Sequence, residues 1–325
     1  MSYTFKNIFD YTNKQLDDFI SNNTDIKYET LADKRYMTIY FLYNRDLLSK
    51  KDIPYLFLPN FKSVMERATN VNELITQFII ITFNLAYHTQ KNKLYGGSED
   101  ILTTMCQTSY PKTTGWSDTQ GLSQCTLNAS LLLAEQRPLI VGIQEGVNSV
   151  TPLIVDVMNK QVGENKYAYT NLNTCYFIYD ISIGKPSYLN LTTVADANNK
   201  NEREMLVVYF PNIKLLAINL HAPHGANLKS EIELKINQLN LNLNPNRIIV
   251  TGDFNDGKGS LKELQILEQT LKQHGRPFKT CCTDSDYQYV GDYIFDSDYN
   301  KSGIYQIVKS DKLMSDHYPI IYMDN

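Results

Sequence analysis

Apolar residues in this chain gather into short unbroken runs at 78–83, 139–143 and 248–251. Continuous β-branched runs of this length predict strands buried on both faces, whereas half-solvated strands alternate. Shorter runs rich in Tyr, Phe and Val predict strands at 167–169, 175–181, 188–193, 205–210 and 213–220, with further strands near 289–295, 304–308 and 319–323. Helical spacing appears around Leu127, Leu131, Leu132 and Leu133, over 150–162, through Leu228, Ile232, Ile236, Leu239 and Leu243, and over 261–271. Many strands, few helices and no internal repeat predict an α/β (α+β) architecture, a four-layered sandwich of two packed, mainly antiparallel sheets with helices outside. A doubly wound parallel sheet fits less well, because strand follows strand between residues 165 and 220.

The first 76 residues have a different texture. Leu16, Phe19 and Ile20 predict a short amphipathic helix, residues 37–43 form an apolar run of ambiguous type, Pro54 and Pro59 interrupt the next segment, and 64–78 reads as a helix. The expected organisation is a largely helical N-terminal extension (1–76) of unknown role and one large domain (77–325).

Composition narrows the classes. With 42% hydrophobic and 20% charged residues the chain is ordinarily globular, and a net charge of −4 excludes a global basic field for nucleic acid. No segment approaches ~18 uninterrupted apolar residues. The first twenty residues carry Asp10, Asp17 and Asp18 and no signal-type run, so a cytoplasmic protein is expected. Five cysteines form no CxxC pair and are odd in number, which predicts reduced thiols, with Cys281 and Cys282 as packing residues.

Candidate chemistry sits at the ends of the predicted strands. Asn84, Glu145, His221, and Asp253 with Asn255 each follow a buried run, and Ser315–Asp316–His317 precedes the last one. Alone, the Gly252–Asp256 stretch reads as an Asx turn closing a strand, and a single histidine reads as a structural residue. Five polar sites at one sheet edge read as an active site.

The motifs TFN (Thr82–Asn84), IQE (Ile143–Glu145), NLHAP (Asn219–Pro223), GDFN (Gly252–Asn255) and SDHYP (Ser315–Pro319) occur in the order seen in the endonuclease/exonuclease/phosphatase superfamily. Over residues 78–325 the chain resembles that superfamily, and pancreatic-type deoxyribonuclease in particular. The resemblance implies the four-layered sandwich, a site at one edge, and phosphoester hydrolysis dependent on Mg²⁺, with Mn²⁺ as the substitute. Glu145, Asn84 and Asp316 are then the metal-site residues, hard oxygen donors of the kind Mg²⁺ takes. Asp253 orients or deprotonates the attacking water, and Asn255 donates to a phosphoryl oxygen. His221 and His317 stabilise the growing charge, with Asp292 keeping His317 protonated, and Arg203 contacts phosphate.

Two departures bear on substrate. The position of an arginine that enters the DNA minor groove in those nucleases holds Val147, and the glutamate that pairs with the first histidine there falls at Thr174. The expected function is a phosphodiesterase, most simply an endonuclease on nucleic acid. The alternatives are a phosphomonoesterase or small-molecule or lipid phosphatase of the same fold, and a non-catalytic binding scaffold. No protein partner is evident, and Tyr110 and Trp116 in the 86–137 insertion are candidates for stacking a base.

Overall fold

The computed structural model describes residues 13–21, 38, 78–91, 94–110, 122–195, 202–224, 228–238, 243–257, 259–274, 277–282, 288–300 and 303–324. The segments expected at 53–60 and 64–77, most of 37–43, and Trp116 lie outside the described residues. Two compact units divide the chain: Met1–Gln77 with Asn159–Asn165, and Phe78–Met158 with Lys166–Asn325. In the first, helix α1 (Asn13–Ser21) buries Leu16 and exposes Gln15, Asp17 and Asp18, the one-sided burial that amphipathic spacing predicts.

The second unit contains strands β1 (Ile79–Asn84), β2 (Ile140–Gln144), β3 (Tyr167–Leu172), β4 (Cys175–Asp180), β5 (Ser187–Ala195), β6 (Glu202–Phe210), β7 (Leu215–His221), β8 (Arg247–Gly257), β9 (Glu263–Ile266), β10 (Gln269–Gln273), β11 (Val290–Asp296), β12 (Gly303–Ile307) and β13 (Ile320–Asp324). Its helices are α2 (Ile101–Ser109), α3 (Gln124–Gln136) and α5 (Leu228–Gln238), and α4 (Thr151–Val162) belongs to it as far as Met158. One sheet has six strands in the order β12-β13-β1-β2-β4-β3, and the other has seven in the order β5-β6-β7-β8-β11-β10-β9. Among the described pairings only β1–β2 and β7–β8 are parallel. This is the expected α/β sandwich of two mainly antiparallel sheets.

Strand alternation sorts the side chains. Ile80, Ile140, Phe177, Leu206, Val208, Ala217, Ile249, Ile294 and Ile320 meet between the sheets. Their odd-numbered or even-numbered neighbours Met205, Val207, Ile218, Val250 and Phe254 face outward, where Ile232 and Ile236 of α5 cover them. The sheets approach closely at Gly142, where a methyl group would overlap Thr251 Oγ1 and stand 2.8 Å from Asn219 Oδ1. Asn219 itself crosses between the sheets, its Nδ2 donating to the carbonyls of Ile143 at 2.7 Å and Tyr176 at 2.9 Å.

At one end of this inter-sheet layer, Arg247 donates from Nε to Asp296 at 3.0 Å and from Nη1 to Asp324 at 2.7 Å, joining β8 to β11 and β13. His274 lies 3.1 Å from the same Asp296 and stacks on Tyr322 at 3.6 Å. The other end carries the candidate chemistry.

Two expectations are corrected. Residues 261–271 form a β-hairpin, β9–β10, rather than a helix. Leu261, Leu264 and Leu271 are buried at spacings that also suit a helix, but Leu267 and Glu268 both have positive φ, 48° and 62°. That is the backbone of a two-residue hairpin turn, made here without the Asn-Gly or Gly that announces one. The reading of all five cysteines as reduced thiols fails as well. Cys106 of α2 and Cys125 of α3 are disulfide-bonded with Cα atoms 6.1 Å apart, and Cys175 is free and buried. A sequence separation of 19 hides the pairing, since only the packing of α2 beside α3 creates it. Among the described residues no helix is long and apolar enough to cross a membrane.

Candidate active site

β1, β2, β7 and β8 end together, because β1 runs parallel to β2 and β7 parallel to β8. Asn84, His221 and Asp253 occupy inter-sheet positions where the β1–β2 and β7–β8 pairings end, so alternation aims them into one space. Glu145 would point outward by the same alternation, since Gln144 already points between the sheets. Its φ of 56° breaks the pattern, and its carboxylate turns to Asn84, whose Nδ2 donates to Oε1 at 3.1 Å.

Asn84 sits between the two carboxylates. Its Nδ2 also donates to Asp253 Oδ2 at 3.0 Å, while its Oδ1 accepts from the Ala86 N–H at 2.9 Å. The amide therefore presents N–H to the site and spends its oxygen on the backbone. Both histidines converge on the same Asp253 oxygen, His221 Nε2 at 3.8 Å and His317 Nε2 at 3.7 Å, and His221 Nε2 is also 3.8 Å from Glu145 Oε1.

His317 is held from behind. Asp292 faces Asp253 across the β8–β11 pairing, and its Oδ2 lies 2.8 Å from His317 Nδ1. A β-bridge to Cys281 fixes the His317 backbone. Asp316 Oδ1 lies 3.9 Å from His317 Nε2. Burial works against a charged imidazole here, but Asp292, Asp253 and Asp316 outweigh it and raise the His317 pKa well above its usual value. The Asp292 carboxyl is itself pushed up by burial despite His317, so both partners of this pair hold a proton more firmly than they would in water.

The other carboxylates divide by their neighbours. Burial opposes ionisation of Asp253, yet His317, His221, the Asn84 amide and the Asn255 N–H hold its pKa low. Glu145 is likewise held low against burial, by His221, the Tyr87 N–H and Asn84. Asp316 is raised, first by burial and then by the charges of Glu145 and Asp253. Glu145 and Asp316, with side chains 28% and 20% exposed, are hard oxygen donors of the kind a divalent cation takes. Asp253, Asp292 and His317 also lie within ligand distance of one another, but His317 Nδ1 is committed to Asp292, so that trio serves to hold a proton.

Two sequence candidates are placed apart from this cluster. Arg203 is exposed and pairs with Val194 of the outward-facing core, which puts it on the far face of β6. Asn255 has a φ of 49°, and its Nδ2 donates to the Ala222 carbonyl at 2.7 Å. Its backbone N–H donates to Asp253 Oδ1 at 3.0 Å, so what it does in this structure is brace the β8 end.

Two further residues carry roles that the motifs do not announce. Gln90 is buried and clamps the backbone that leaves Glu145, Nε2 donating to the Glu145 carbonyl at 2.8 Å and Oε1 accepting from Val147 N–H at 3.2 Å. Such a clamp offsets the backbone strain of a left-handed glutamate. Glu204 returns a carboxylate to the place where Thr174 lacks one: its Oε2 accepts from Thr174 N at 3.0 Å and Thr174 Oγ1 at 2.8 Å. The β6–β7 register pairs Met205 with Leu220, so the next position sets Glu204 opposite His221, whose Nδ1 is buried without a hydrogen-bond partner. Sequence spacing could not show either role, because both depend on contacts between segments far apart in the chain.

No family model and no curated protein matches the chain. Solved structures similar to it include a humanized D. rerio TDP2 (16% identity, TM-score 0.46, covering 77% of this chain and 99% of that one). Another is ANGEL2, a 2',3'-cyclic phosphatase (12% identity, TM-score 0.47, covering 77% of this chain and 95% of that one). A Bacteroides thetaiotaomicron mannosyl-6-phosphatase also matches (15%, TM-score 0.44, 75% and 98%). In motif order and in its two-sheet α/β sandwich, with the motif residues gathered at one edge, this chain resembles the endonuclease/exonuclease/phosphatase superfamily.

Proposed function

We propose that the chain is a divalent-metal-dependent phosphoester hydrolase, and that its substrate is a phosphodiester of nucleic acid. The observation that carries this reading is the convergence of Asn84, His221 and His317 on Asp253 Oδ2, with Glu145 alongside. A carboxylate kept ionised between donors is suited to orient a water and accept its proton at Oδ2. His317, protonated through Asp292, presents Nε2 to the charge that grows on the phosphoryl oxygens, and His221 presents Nε2 from the other side. Glu145 and Asp316 would hold Mg²⁺ or Mn²⁺, with Asn84 keeping Glu145 and Asp253 apart. When bound, the cation supplies charge neutralisation and a more acidic water.

A second reading, hydrolysis of a phosphomonoester or a small phosphodiester, is favoured by Val147 at the rim and by Arg203 on the outer face, which leave few cations for a long polyanion. The two separate in one panel. Plasmid, single-stranded DNA, RNA, a sugar phosphate and an inositol phosphate are each incubated with Mg²⁺, Mn²⁺ or EDTA. Cleavage of the polymers that EDTA abolishes is the expected result. Turnover of the small esters alone overturns the nucleic-acid reading, and binding without turnover of any of them favours a scaffold.

A further inference from the structure

The rim beside Glu145 is built in a way that catalysis of phosphoester cleavage does not require. The turn Tyr87–Gln90 follows β1 directly, and Tyr87 N–H donates to Glu145 Oε2 at 2.9 Å. Every residue of this turn is tied down: Thr103 Oγ1 donates to the His88 carbonyl at 2.6 Å, Ser123 Oγ to the Thr89 carbonyl, and Gln90 grips Glu145 and Val147. A second segment is held by the buried Asp100, whose Oδ2 accepts from Tyr95 N at 2.8 Å and from Gly96 N.

These two fixed segments display their aromatic rings outward. Tyr87 is 39% exposed and Tyr95 is 70% exposed. Between them stands Lys91, with Nζ 4.0 Å from the Tyr87 ring centre and 4.8 Å from that of Tyr95. Cation–π contact of this kind holds an ammonium at a defined place on the surface. Tyr110, an expected stacking residue, packs instead against the Cys106–Cys125 pair.

We propose that Tyr87, Lys91 and Tyr95 form a nucleotide subsite beside the reaction centre, in which a base of single-stranded nucleic acid stacks on a tyrosine ring and Lys91 meets a phosphate next to the scissile one. The inference rests on the phosphodiesterase reading above and extends it to the substrate. Its grounds are adjacency and chemistry: the Tyr87 backbone touches the carboxylate assigned to the metal, aromatic faces suit any base, and the ammonium suits the backbone anion. A duplex keeps its bases inside the stack, so the subsite selects an unpaired strand.

The test uses the full chain and the variants Tyr87→Ala, Tyr95→Ala and Lys91→Ala, all at surface positions, with thermal unfolding as the check on folding. Substrates are a fluorescent single-stranded oligonucleotide and the same oligonucleotide with one abasic residue placed at each position in turn. Cleavage is measured with Mg²⁺, and binding by anisotropy with Ca²⁺. The wild type is expected to bind the base-bearing strand roughly tenfold more tightly than the strand abasic at one position. The tyrosine substitutions erase that difference, and Lys91→Ala weakens both strands alike and flattens the salt dependence. Equal affinity of the wild type for all strands, or unchanged discrimination in both tyrosine variants, overturns the subsite even if cleavage proceeds. Absence of cleavage with the base preference intact overturns the hydrolase reading and leaves the subsite standing. Stronger dependence of sugar phosphate turnover on these tyrosines than of oligonucleotide binding reassigns the rings to a carbohydrate and overturns the proposal.

Discussion

Asp292 and Asp253 face each other across β11 and β8, and His317 stands between them, Nδ1 2.8 Å from the first and Nε2 3.7 Å from the second. One imidazole thus joins a fully buried carboxylate to the site carboxylate. Replacing Asp292 with Asn removes the charge that keeps His317 protonated. The alkaline limb of the pH–rate profile is expected to move to lower pH, with kcat down by about 10²-fold. Linkage gives a second readout. Because the folded-state His317 pKa lies above its ordinary 6.5, its protonation stabilises the fold fully below pH 6.5, and that contribution is lost as pH rises through the folded value. The stability difference between wild type and His317→Gln, measured in EDTA, should narrow with rising pH above 6.5. A difference that widens contradicts the assignment.

Gln90 tests how much of the site is backbone geometry. Gln90→Leu fills similar space but removes both hydrogen bonds to the two peptide groups that follow Glu145. Mg²⁺ titration of activity is expected to show a metal requirement raised by about 10- to 100-fold. An unchanged Mg²⁺ dependence in a folded variant would show that the left-handed Glu145 holds itself.

Gly142 marks where the sheets come closest. Gly142→Ala forces a methyl into Thr251 and Asn219, and destabilisation of about 1–3 kcal/mol by denaturant titration is expected for such overpacking. Wild-type stability would mean that β2 can shift away from β7 and β8 without strain.

Arg247 lies at the far end of the same layer and should separate stability from chemistry. Arg247→Met leaves Asp296 and Asp324 buried without their cation, a change that costs about 3–5 kcal/mol when one partner of a buried pair is removed. Activity of the remaining folded protein at low temperature is expected to stay near wild type. A large loss of kcat in the folded fraction would show coupling between the two ends.

Much of this was legible before any coordinates. The unbroken runs at β1, β2 and β8 read as two-sided strands because burial on both faces leaves no alternation; four of the motifs sit at one edge because their strands share a direction, and Ser315–His317 reaches the same edge because it leads into β13, which runs antiparallel to β1. What stayed hidden depends on non-local contact. The β9–β10 hairpin turns on two non-glycine residues at positive φ, and its leucines at 261, 264, 267 and 271 satisfy a helical spacing. The inward turn of Glu145 comes from backbone at a single residue, which no spacing rule registers. Glu204 and Gln90 act through partners tens of residues away. Arg203, chosen by motif, lies on the outer face because β6 alternates out of phase with that role.

The central claim is that Asp253 is the carboxylate around which hydrolysis is organised, and Asp253→Asn tests it most directly. The substitution keeps the shape but gives up the charge that His317, His221 and Asn84 hold ionised, so the variant is expected to unfold somewhat below the wild-type temperature while staying folded at the assay temperature. The decisive quantity is single-turnover cleavage of the best substrate from the panel with saturating Mg²⁺. A rate lower by about 10³-fold in a folded protein is the expected result, and wild-type turnover by that folded variant would contradict it.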